Sequence, residues 1–98
     1  MNFKYRFNTK QFLVTGVLIA PEKINDELLQ THMAYTQQWM DAGRIVMSAL
    51  YADMTGVVNI VFADTQEEVE AFYANEPFHR AGAQDYVVRE INIHYGRF

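Results

Sequence analysis

No cysteine occurs among the 98 residues, so the chain has neither a disulfide framework nor a thiolate metal site. A small fold that needs no such staple suits a reducing cytosol, and a cytoplasmic location is expected. Positive charge is scarce: 8 Lys and Arg stand against 12 Asp and Glu, and the net charge of −4 repels polyphosphate. No nucleic-acid partner is expected. No apolar run approaches the roughly 18 residues that span a bilayer, so no membrane segment is expected either. The three histidines, His32, His79 and His94, lack metal-ligand spacing, and no glycine-rich phosphate loop is present. Neither a metal nor another cofactor is expected. Lys4, Arg6 and Lys10 precede any acid and lead into apolar Phe12 to Ala20, a faint echo of a signal peptide. Thr15, Gly16 and the Leu18-Ile19-Ala20 ending argue against that reading, and the same stretch is needed as a strand.

Half of the residues are hydrophobic, enough for a core, and the length suits one domain spanning 1–98, with residues 1–11 as a possible arm. Phe12 to Ala20 is apolar on both alternating faces, the pattern of a strand covered on both sides. Pro21 stops it. Asn25 is placed as an N-cap, with Asp26 and Glu27 at the positive end of a helix that runs to about Ala42 and closes at Gly43. Arg44 to Ala52 and Gly56 to Ala63 read as a hairpin turning through Asp53-Met54-Thr55. Thr65 and Glu68 form a capping box that opens a second helix, with Val69, Phe72 and Tyr73 inward. Pro77 ends that helix, Phe78 to Asp85 is a loop, and Tyr86 to Tyr95 is the last strand. The order βαββαβ is most economically a ferredoxin-like α+β fold. It has four antiparallel strands in the order 4-1-3-2 and both helices on one face. Apolar residues on the other face, with Val14, Leu18, Val58 and Ile60 as candidates for either side, predict a homodimer with sheets face to face.

The chemistry centres on Leu28 to Met40. Leu28, Leu29, Met33, Tyr35, Thr36, Trp39 and Met40 share an arc of roughly 160° on a helix, and His32 falls inside it. A buried imidazole needs a partner. Position 76 falls on the inward stripe of the second helix, and the antiparallel helix pair brings Glu76 beside His32. A carboxylate against an imidazole builds a general acid or base; the alternative is a buried structural pair. Tyr35 lies one turn from His32, while Tyr51, Tyr73 and Tyr86 offer further phenols. Arg80 is placed either to hold an anionic substrate or to cap a helix end. Ser48 reads as a small packing residue.

The segment around His32, the Ala42-Gly43-Arg44 turn and the run Asn75-Glu76-Pro77-Phe78-His79-Arg80-Ala81-Gly82 resemble the YCII-related family. The resemblance implies a dimeric α+β barrel and an active site made of a helix histidine and the acid before proline, which map onto His32 and Glu76. The family's acid is usually aspartate, and its usual Gly-Pro near the end of the second strand is replaced by Ser48-Ala49-Leu50. Known activities in the family include dehydrochlorination in aromatic catabolism, and the overall shape is also similar to muconolactone isomerase. The resulting expectation is a cofactor-free lyase or isomerase acting on a small cyclic or aromatic-derived substrate. His32 and Glu76 are its catalytic residues, and Tyr35, Phe78, His79, Arg80 and Tyr86 bind substrate. A noncatalytic ligand-binding or assembly domain and a monooxygenase of similar barrels are the other classes.

Overall fold

A computed structural model describes residues 9–97, so residues 1–8 of the arm expected over residues 1–11 lie outside the described residues. The elements are β1 (Lys10–Leu18), a 3-10 turn (Pro21–Lys23), α1 (Asp26–Asp41), β2 (Ile45–Leu50), β3 (Gly56–Ala63), α2 (Gln66–Ala74), the short α3 (Pro77–Arg80) and β4 (Gln84–Ile91). The sheet order is β2-β3-β1-β4, with every pairing antiparallel, as the sequence predicts. Lys10 and Gln11, assigned to the arm on sequence, extend β1 by pairing with Ala63 and Phe62.

The pleat sorts β1 cleanly. Phe12, Val14 and Gly16 point toward the helices and are buried, opposite Val61, Asn59 and Val57 of β3. Each large apolar side chain on that face contributes about 1.5 to 3 kcal/mol by burial. Leu13, Thr15, Val58 and Ile60 point the other way, so Val14 and Val58, indistinguishable by parity, belong to opposite faces. A register shift between Ile45 and Met47 inserts an extra residue into β2, and beyond it Ser48 and Leu50 align with Asn59 and Val57 on the helix side.

Capping accounts for the helix ends. Asn25 Oδ1 accepts from the Leu28 N–H at 2.8 Å, and Thr65 Oγ1 accepts from the Glu68 N–H at 3.2 Å. Gly43 ends the first helix with φ 75°, a conformation that glycine adopts without a Cβ clash. The hairpin turn is held by Asp53 Oδ1, which accepts from both the N–H and hydroxyl of Thr55.

Two regions differ from expectation. The buried stripe of α1 is narrower: Leu28, His32, Tyr35, Thr36 and Trp39 face inward, while Leu29, Met33 and Met40 are exposed. A cleft separates this helix from β2, so only its innermost line is covered. The segment after Pro77 is a helical turn followed by β4, not a loop up to Asp85. Proline with its fixed φ suits the first helical position, and its missing N–H is lost where no partner exists. Among the described residues, no helix is long and apolar enough to cross a membrane.

Candidate active site

Glu76 is reached by a route the sequence did not predict. It is not part of α2, which ends at Ala74, but sits in an extended conformation, φ −67° and ψ 134°, as a residue before proline must. That conformation makes it the N-cap of α3. Its Oε2 accepts from the N–H groups of Phe78 at 3.1 Å and His79 at 3.3 Å, and from the Tyr86 hydroxyl at 2.7 Å. Its Oε1 is hydrogen-bonded to Nδ1 of His32. The side chain is fully buried.

Burying a carboxylate costs several kcal/mol unless donors replace water, and here four donors do so. Burial alone pushes the Glu76 pKa up. The hydrogen bonds from His32 and Tyr86, the charge of His32 and the Phe78 N–H outweigh it, leaving the pKa below the usual glutamate value. Glu76 is therefore an anion, and an anion only accepts. The proton on the shared hydrogen bond belongs to Nδ1 of His32, which leaves Nε2 as the nitrogen available to a ligand.

His32 is held on its other surfaces as well. Its ring stacks on Phe78 with centroids 3.8 Å apart and planes 6° from parallel. Thr36, one turn further along α1, donates to the His32 carbonyl at 3.2 Å. Tyr86 owes its place to Gly16. A Cβ at residue 16 would lie 2.9 Å from the Tyr86 ring and 2.7 Å from Val57, so only glycine lets the ring lie across β1 and reach Glu76. Gln84 donates to the Tyr86 oxygen at 2.8 Å, which turns the phenolic hydrogen toward the carboxylate. Burial, then the charge of Glu76, raises the Tyr86 pKa, so the phenol remains a donor.

A cleft of about 120 Å³ opens beside this pair. His32, Thr36 and Met40 of α1 form one wall; Ser48 and Leu50 of β2 with Val57 and Asn59 of β3 form the floor; Phe78, Gln84 and Tyr86 close the inner end. Among the described residues, no Lys or Arg lines it. The volume is close to that of an engineered apolar cavity that binds benzene, so it suits a single ring.

Of the residues expected to bind substrate, Phe78 and Tyr86 line the cleft with His32. Tyr35 does not: its hydroxyl donates to the Phe72 carbonyl at 2.6 Å, and its ring belongs to the core. His79 is turned to a neighbouring cavity that it shares with Glu70, Tyr73 and Tyr86, with Nδ1 3.2 Å from the Gln84 carbonyl. Arg80 is exposed and lines neither space. Asn59, Ser48 and Gln84 were not singled out as site residues. The available signal was Asn59 itself, a carboxamide in the middle of the apolar strand GVVNIVFA.

No curated protein matches the chain. A solved structure of 5-chloro-2-hydroxyhydroquinone dehydrochlorinase (TftG) from Burkholderia phenoliruptrix AC1100, in complex with 2,5-dihydroxybenzoquinone, is similar, with a TM-score of 0.69 and 25% sequence identity. The match covers 84% of this chain and 93% of that one. The family model for the YCII-related domain matches residues 11–92, from the second residue of β1 to just past β4, and the chain therefore belongs to the YCII-related family.

Proposed function

We propose that this protein is a small-molecule lyase in which His32 moves protons and Glu76 fixes its tautomer and stabilises the imidazolium. The observation that carries this reading is the pairing itself. A fully buried carboxylate holds Nδ1 of a histidine whose other nitrogen is left to a ring-sized cleft. Support for the substrate class comes from the likeness to the dehydrochlorinase of a chlorinated hydroxyquinol. Among the described residues no Lys or Arg lines the cleft to pair with a carboxylate, which favours an uncharged hydroxylated ring over an organic acid.

Loss of HCl from such a ring needs only proton transfers. His32 takes a hydroxyl proton and returns it to the chlorine-bearing carbon, giving a keto tautomer. It then takes a second hydroxyl proton while chloride leaves with the C–Cl electron pair. Each step alternates base and acid at one nitrogen, and the balance is one proton and one chloride lost. Phe78 and Tyr86 flank the reacting ring in this reading. The test is chloride release from 5-chloro-2-hydroxyhydroquinone: His32→Ala should slow it by about 10² to 10⁴ while the protein stays folded. Wild-type turnover by that variant would refute the mechanism.

The proposal includes a homodimer in the cytoplasm, built on the sheet face away from the helices. Leu13, Val58 and Ile60 lie on that face, and Val17 and Val87 are 53% and 56% exposed there. Sedimentation should show a dimer at micromolar concentration, and Ile60→Glu should shift it to monomer. A wild-type monomer under those conditions would remove the barrel assembly.

A further inference from the structure

Asn59 sits on β3, the central strand between β1 and β2, and is only 5% exposed. Its strand neighbours on the helix side are Val57 and Val61, and across the ladder it faces Val14. One end of its carboxamide is tied down: Nδ2 donates to the Tyr73 hydroxyl at 2.8 Å. The other end, Oδ1, has no hydrogen-bond partner among the described residues. Tyr73 lines the neighbouring cavity and not the cleft, whereas Asn59 lines the cleft beside His32. The unpaired end is thus the one turned away from Tyr73, and that oxygen is itself buried.

A buried amide with half of its hydrogen-bonding capacity unmet is unfavourable in the empty protein, and such groups concentrate where a ligand completes them. Opposite Asn59 on the β2 side of the ladder lies Ser48, which also lines the cleft. We propose that Asn59 orients the substrate by hydrogen bonding a ring oxygen other than the hydroxyl that His32 is deprotonating. The Tyr73 hydroxyl either accepts from Nδ2 or donates to Oδ1, so the carboxamide presents an acceptor to a hydroxyl or, turned over, a donor to a carbonyl. The inference rests on the lyase reading for its substrate class, but the group that identifies it is present without any substrate.

The experiment has two readings. In the first, thermal unfolding compares wild type, Tyr73→Phe and the double variant Asn59→Val/Tyr73→Phe, which removes both partners and leaves apolar side chains. The double variant should unfold at or above the wild-type temperature. A loss of about 5 °C or more relative to wild type would make Asn59 a structural residue and overturn the proposal. In the second, calorimetry under anaerobic conditions measures hydroquinone and phenol, rings with two hydroxyls and one. Wild type and Tyr73→Phe should prefer hydroquinone by about tenfold, and the double variant should bind both alike. A double variant that keeps the preference overturns the proposal even if it is stable. If wild type binds neither ring, the lyase reading fails, and the unfolding comparison alone then decides whether Asn59 is held for a ligand or for the fold.

Discussion

The two ends of the layer between helices and sheet are built from the same parts and end in opposite states. At one end Trp39 and Tyr35 of α1 stack on Phe72 of α2 at 3.7 and 4.5 Å, with Tyr73 edge-on at 5.1 Å. Arg44 lies 4.1 Å over the Trp39 ring and pairs with Glu68 at 2.5 Å. At the other end His32 stacks on Phe78 and pairs with Glu76. Each end has a ring stack and an acid–base pair. Solvent separates them: Glu68 is 41% exposed and can be hydrated, while Glu76 has no exposure and depends on His32, Tyr86 and two main-chain amides. A pair at the surface is worth little, whereas a buried one is costly to break and sensitive to protonation. Packing completes the first end, and a ring-sized cleft is left at the second.

The largest expected change breaks the packed end. Phe72→Ala removes the ring on which Tyr35 and Trp39 stack and should cost about 3 to 5 kcal/mol in denaturant unfolding. The same loss at Leu50, which is 63% exposed at the cleft, should be far smaller.

Breaking the polar end should act first on turnover. Glu76→Gln keeps the shape but replaces the anion, and chloride release from the chlorinated hydroxyquinol should fall by about 10² to 10⁴. Its pH profile sharpens the contrast. Because the folded Glu76 pKa is depressed, the unfolded chain binds more protons in the acid range, so this group's stabilisation is present above about pH 4.3. It is lost as pH falls through the lower folded pKa. Wild type should lose more stability than Glu76→Gln over that interval, and equal slopes would contradict the assignment. Glu68→Gln, its counterpart at the packed end, removes the carboxylate paired with Arg44, which is only 11% exposed, and should lower stability while leaving turnover unchanged.

The strands, their order and the His32–Glu76 pairing were legible because they rest on period and topology. β3 falls on its expected residues, Gly56 to Ala63. The pairing was reached by extending the α2 stripe to residue 76, and the structure places Glu76 there by a different cause, the extended backbone before Pro77. Tyr35 was misplaced because helical spacing puts it on the same face as His32 but cannot say that its hydroxyl finds the Phe72 carbonyl. The cleft lies between α1 and the β2–β3 hairpin, elements whose spacing the helix pattern around His32 does not fix. Its floor depends on the register shift after Ile45, and a one-residue insertion that decides which side Ser48 and Leu50 face leaves no periodic trace.

Residue 16 turns a missing carbon into a rule of exclusion. The space above that point of β1 is taken up by the Tyr86 ring and a methyl group of Val57, so a methyl group on residue 16 and the phenol of residue 86 compete for the same volume. A chain that acquired alanine there would have to surrender the tyrosine, and with it one of the donors that keep Glu76 ionised. Two residues near opposite ends of the polypeptide are in this sense a single heritable choice, and the charge state of a third depends on how it is made.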